Sequence, residues 1–304
     1  MGKMLHEPDR PSWAMGILML TCLMIAFSTV HAAEKRPAKV FLWCVQGAKS
    51  KVYLLGSMHV LKESSYPLDA RIEKAYESCP KVVFEADPAE AGSDEVRAMM
   101  LRLGAFPEGR TLRSEISPKT YSALKRRALA NGMNPEQFNT LRPWYAALVI
   151  ASAELNRLGF VHEHGLDAYF YRKASSDKKD RIFLETAKQQ LDLLANSFPG
   201  QEEELLRQAL EEMSVLEKTS AEMEQAWKEG DAVRMEAFTK KSMEGFPEVE
   251  KRLFTERNRV WIKRITRLME EKGDVFVVVG AGHLVGKGGL IDMLTAKGFP
   301  AVQQ

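Results

Sequence analysis

The chain has 304 residues, of which 45% are apolar and 28% charged, the make-up of an ordinary globular protein with room for one large domain or two small ones. The net charge is +2, lysines and glutamates alternate along helix-like stretches, and no basic block appears. Nucleic-acid binding therefore has little support in the composition.

Lys3 and Arg10 precede an uncharged run from Trp13 to Val30, and Val30-His31-Ala32 offers small residues where a signal peptidase reads. This pattern predicts a secretory signal peptide over 1–32 and a mature domain over 33–304, periplasmic or secreted. The alternative is an uncleaved inner-membrane anchor, since the run is nearly long enough to span a bilayer. In both cases membrane contact is confined to the N-terminus. Beyond the leader stand two cysteines, Cys44 and Cys79. In an oxidising compartment they could pair; the other reading is two buried free thiols.

Two strands, 41–46 and 51–55, flank a hairpin turn at Gly47-Ala48-Lys49-Ser50. A helix follows, with Ser65 as cap, Pro67 in its first turn, and Leu68, Ile72, Ala75 and Cys79 along one face until Pro80 stops it. Residues 82–84 read as a short buried strand. The segment 94–158 is mostly helical, 166–174 is a further helix, and 181–184 is another apolar strand. A Glu-rich helical stretch runs over 187–229, Asp231 caps a helix, and 247–272 forms one last long helix closed by Gly273. Residues 275–279 are the most strand-like run, with four valines in five positions, and a short helix covers 289–297. Apolar strands without polar alternation predict an α/β fold, a central mixed sheet with helices on both faces. The helical stretch over roughly 187–272 reads as a large insertion that could cap a site.

Four strand-like runs end alike. Residues 52–55 lead to Gly56-Ser57-Met58-His59, 82–84 to Glu85 and Asp87, 182–184 to Glu185, and 275–279 to Gly280-Ala281-Gly282-His283. Open α/β sheets bind ligands beyond the carboxyl ends of their strands, so two histidines and two or three carboxylates stand where a site is expected. A glycine directly after a strand lets the chain turn sharply, and a histidine three residues on can swing back over the strand end. Two imidazoles and a carboxylate, here His59, His283 and Glu85, are a common set for a divalent transition metal of the Mn, Co or Zn type. Such an ion lowers the pKa of water and polarises a carbonyl. His162-Glu163-His164 is a competing cluster, set in a connection between helices. Asp167 reads as a helix cap or a pairing residue within its helix. Arg257 and Asn258 read as part of a solvated helix face, and Trp144 and Tyr145 as core aromatics.

These motifs together resemble the TraB/GumN family. The resemblance rests on Phe41-Leu42-Trp43, on Val52 through His59, on Val82 through Asp87, and on Phe276 through Gly286 with Gly289-Leu290. Gly165-Leu166-Asp167, Leu184-Glu185-Thr186 and Glu256-Arg257-Asn258 add to it, so it spans roughly Phe41 to the C-terminus. It departs from the family pattern at Ser57-Met58 and at Val285, none of them a potential ligand. The family is related to the Tiki metalloproteases and grouped with erythromycin-esterase-like and ChaN-like folds. Membership implies that the paired Gly-x-x-His turns form an active centre with Glu85 and Arg257. The resulting expectation is an exported metal-dependent hydrolase acting on a peptide or small-molecule substrate. In it, His59, His283 and Glu85 bind the metal, Glu185 is the general base and Arg257 steadies an oxyanion. The alternative is an envelope protein that binds haem or a metal without catalysis.

Overall fold

A computed structural model describes residues 39–304, so the leader or anchor expected within 1–32 lies outside the described residues. Strands β1 (Leu42–Gln46) and β2 (Lys51–Ser57) form the expected antiparallel hairpin, closed where the Gly47 amide donates to the Ser50 carbonyl at 2.9 Å. Strands β3 (Lys81–Phe84), β4 (Asp180–Phe183) and β5 (Val275–Gly280) follow, and β6 (Ala301–Gln303) closes the chain. The sheet order is β4-β3-β5-β2-β1-β6. Strands β4, β3, β5 and β2 run parallel, while β1 is antiparallel to both neighbours, which makes the sheet mixed.

Every residue of β5 is buried. Successive strand residues point to opposite faces, so burial at all of them requires helices on both. On one face the helices Ala70–Ser78 and Leu166–Ser176 bring Tyr76 and Phe170 against Phe276, with ring centroids 5.7 and 5.0 Å apart. The helix Arg257–Leu268 adds Trp261, Ile262 and Ile265 to the same apolar core, and Leu290–Ala296 adds Leu290 and Leu294.

The start of the first of these helices differs from expectation. Asp69 caps it by accepting from the Arg71 amide, whereas Ser65 lies in the separate turn Glu63–Ser65 and donates its hydroxyl to Glu224 at 2.7 Å. An aspartate adjacent to the helix outcompetes a serine further upstream. Leu68, Ile72, Ala75 and Cys79 are buried as the spacing indicates.

The helical stretch 187–272 divides into parts with different partners. Its first helices, Ala187–Ala195 and Glu202–Glu212, pack with Asp94–Gly104, Pro118–Ala130 and Pro143–Arg157. They share apolar clusters separate from the sheet, one around Leu124, Phe138, Ile150 and Leu206, the other around Val96, Trp144 and Leu191. The next pair, Leu216–Lys228 and Ala232–Ser242, reaches the strand ends: Trp227 donates its indole N–H to the Gly56 carbonyl at 2.7 Å. Among the described residues no helix is long and apolar enough to cross a membrane. Cys44 and Cys79 are free thiols, and burial pushes the Cys79 thiol up to about 12.

Candidate functional site

Because β2, β3, β4 and β5 are parallel, Ser57, Phe84, Phe183 and Gly280 end at one edge of the sheet. The residues that follow, His59, Glu85, Glu185 and His283, are thereby gathered. The glycines of the paired turns act differently. A side chain at Gly56 would overlap the Phe41 ring, so that glycine admits core packing. At Gly280 a Cβ would lie 3.4 Å from Glu85 Oε1, 3.5 Å from His59 Nε2 and 3.6 Å from His283 Cδ2. That glycine leaves open the space on which three candidate ligands converge. Across the cleft, a Cβ at Gly165 would overlap the His59 carbonyl, so the loop before Leu166–Ser176 can press against the first turn.

His59 rests on Asp167. Its Nδ1 lies 2.8 Å from Asp167 Oδ2, and Ser57 donates its hydroxyl to the other oxygen of the same carboxylate at 2.8 Å. The imidazole is 64% accessible and faces the cleft. The Asp167 carboxylate outweighs the opposing effect of desolvation and raises the His59 pKa to about 9. At neutral pH His59 is protonated, with Nδ1–H directed at Asp167.

His283 is held otherwise. It is buried, its ring lies between Trp261 and Phe254 at centroid distances of 4.4 and 5.0 Å, and its Nδ1 is 2.8 Å from Asn258 Oδ1. Its Nε2 is 3.0 Å from Arg257 Nη1. A guanidinium only donates, so His283 Nε2 accepts and Nδ1–H donates to Asn258. Burial lowers the His283 pKa to about 3, and Arg257 pushes in the same direction against the pull of Glu85. His283 is therefore neutral.

Arg257 is the hub. Its Nη2 donates to Glu85 Oε2 at 2.7 Å, its Nε lies 3.1 and 3.2 Å from the two Glu185 oxygens, and Nη2 makes a further short contact with Glu185. Its guanidinium lies 4.5 Å from the Trp261 ring. The single helix expected over 247–272 is interrupted by the π-helical segment Lys251–Glu256 immediately before it. A π segment shifts the faces of the residues around it, and such segments recur at functional sites. Glu85 completes the cluster by accepting from the Gly280 amide at 2.7 Å and from Gln190 Nε2 at 3.2 Å. Burial alone would raise its carboxyl; the charges of Arg257 and His59, with the Gly280 amide, outweigh that and lower it to about 2.

The structure thus brings together His59, His283, Glu85, Glu185 and Arg257. Asp167 and Asn258 join them, although the sequence pattern assigned the first to a helix cap or in-helix pair and the second to a solvated face. Asn258 is 1% exposed and also donates to the carbonyls of His283 and Gly288 at 3.2 and 3.0 Å. Of the competing cluster, His162 reaches the margin, its Nδ1 3.3 Å from the His59 carbonyl.

Two imidazoles and a carboxylate are ligand types that divalent transition metals take. Each imidazole is anchored through Nδ1 to an oxygen, and the His59 Nε2, the Cδ2–Nε2 edge of His283 and Glu85 Oε1 all border the space over Gly280. Metal-binding histidines are commonly oriented by such a second hydrogen bond. As arranged, Arg257 uses the His283 Nε2 lone pair, and among the described residues no three ligating side chains form a ready cation site.

The chain belongs to the TraB/PrgY/gumN family, whose model matches residues 41–303. It is 24% identical over 247 residues to the uncharacterized protein YbaP of Escherichia coli (strain K12), covering 80% of this chain and 87% of that one. YbaP of Shigella flexneri matches to the same extent. An uncharacterized protein of Treponema pallidum (strain Nichols) is 22% identical over 275 residues, covering 83% of this chain and 79% of that protein. No solved structure matches.

Proposed function

We propose that the protein is a metal-dependent hydrolase of peptide-type bonds, exported by its leader-like N-terminus and working at the strand-end cleft. The observation that carries this reading is the pair of Nδ1-anchored imidazoles facing Glu85 across the space that Gly280 leaves open.

His59, His283 and Glu85 would hold the divalent ion, which would supply Lewis acidity at the scissile carbonyl. Asp167 and Asn258 set the tautomers that present both Nε2 atoms. Ion binding would release the His59 proton, since imidazole ligates only when neutral. Arg257 would leave His283 and steady the carbonyl oxygen as it becomes an oxyanion. Glu185 would take the proton of the attacking water and pass it to the leaving nitrogen as the C–N bond breaks.

The test is elemental analysis of protein purified without chelator, beside turnover of a peptide and ester panel. Wild type is expected to carry a divalent metal and to cleave, while His59→Ala/His283→Ala does neither. Metal-free wild type, with activity unaltered in the double variant, would overturn the reading. Bound metal without turnover on any substrate favours a binding protein.

A further inference from the structure

Two hollows open from the site, and His59 and Glu85 line both. One has a volume of about 430 Å³ and is walled by Met58, Met223, Met235, Leu253 and Phe254, with Thr239 and Ser242 also lining it. Its charged groups are those of the site itself, Glu85 and Arg257 with His59. The other, about 420 Å³, has a mixed wall, with Asp87, His162 and Asp167 beside Phe84, Pro88 and Ala91. The site residues therefore stand at the junction of a methionine-walled chamber and one of mixed lining. A ligand ending at the centre would need only one of them.

We propose that the site takes an extended peptide that continues on both sides of the junction, seating an apolar side chain in the Met223–Met235–Phe254 chamber and running on toward Asp87 and His162. This rests on the peptide-hydrolase reading of the same site. The wall chemistry selects for lack of charge: away from the site's own charged groups, Met223, Met235, Leu253 and Phe254 offer a charged group no partner for the hydration it loses. Methionine is flexible and polarisable, so the chamber accepts leucine, phenylalanine or methionine side chains without demanding one shape. Its far wall comes from Leu216–Lys228 and Ala232–Ser242, which places specificity on helices apart from the sheet that carries the site histidines.

The experiment uses the full chain with methyl-labelled methionine and two synthetic hexapeptides that differ only in a central Leu or Glu. The Leu peptide is expected to shift the Met223 and Met235 methyl resonances and to bind at least ten-fold more tightly. Ser242→Trp, at an exposed position beside the chamber, is expected to abolish the shifts with the melting temperature unchanged. Equal affinity for the two peptides, absent methyl shifts, or undiminished binding by Ser242→Trp would each overturn the assignment. Methyl shifts and selective binding without cleavage of any peptide would uphold the chamber and remove the hydrolase reading. Cleavage without preference would do the reverse.

Discussion

The turns after β2 and β5 share one motif and carry their histidines into opposite electrostatic states. His59 is open to the cleft, leans on a carboxylate and is held protonated, its pKa raised to about 9. His283 is buried between rings, accepts from a guanidinium and is held neutral, its pKa lowered to about 3. The two glycines act through the space they leave, Gly56 for the Phe41 ring and Gly280 for the gap between the candidate ligands. Side chains from distant helices, Leu166–Ser176 for the first and Arg257–Leu268 for the second, determine what each imidazole can do.

The contrast is broken most severely at Arg257. Arg257→Met leaves Glu85 and Glu185 without their shared counter-charge and is expected to cost about 3–5 kcal/mol in chemical denaturation. A loss below about 1 kcal/mol would show that the carboxylates find other partners. Asn258→Ala removes the acceptor for His283 Nδ1–H and the donor to two carbonyls, with an expected cost of about 1–3 kcal/mol. Asp167→Asn acts on the other turn. It is expected to bring the His59 pKa, read by NMR titration, down from about 9 toward its ordinary value of 6.5, and to lower metal affinity by about 10–100-fold. An unmoved His59 titration would break the assignment of its charge to Asp167. Gly280→Ala tests the space between the turns. Gly280 has φ −50° and ψ 136°, and the added Cβ meets its neighbours at 3.4 Å or more. Stability should change by less than about 1 kcal/mol, while metal binding measured by calorimetry is lost.

The two turns also separate along the pH axis. His283 stays neutral in the fold while the unfolded chain takes up a proton near 6.5, so it withdraws stability as pH falls from about 6.5 toward about 3. His59 is the reverse: its stabilisation is complete below 6.5 and is lost as pH rises through about 9. Urea unfolding of His283→Gln should be less acid-sensitive than wild type, and that of His59→Gln less alkali-sensitive.

Much of this was legible in the residues. Valine-rich β5 announced a strand covered on both faces; the glycines read as sharp turns after the strands instead lie in β2 and β5 and serve close packing and open space. The parallel sheet then brought His59, Glu85, Glu185 and His283 to one edge, as strand-end placement suggests. Asp167 and Asn258 were not legible, because a helix-borne acid or amide carries no local mark of what its side chain meets. Arg257 was drawn in by family resemblance alone; its spacing reads as a wet helix face until the π segment Lys251–Glu256 is known. Strand β6 escaped notice because three residues hold too little pattern, and it exists by pairing with β1.

The sheet order has a bearing on biogenesis. Strand β5 lies between β2 and β3, yet it is nearly the last part of the chain to be synthesised. Until it arrives, β2 and β3 have no central partner, and the largest apolar core stays open. A nascent chain of this topology keeps its hydrophobic strands exposed through most of translation, the condition in which chaperones engage and premature folding is avoided. Truncation ahead of Val275 should therefore yield a chain that aggregates or is degraded, rather than a smaller folded domain.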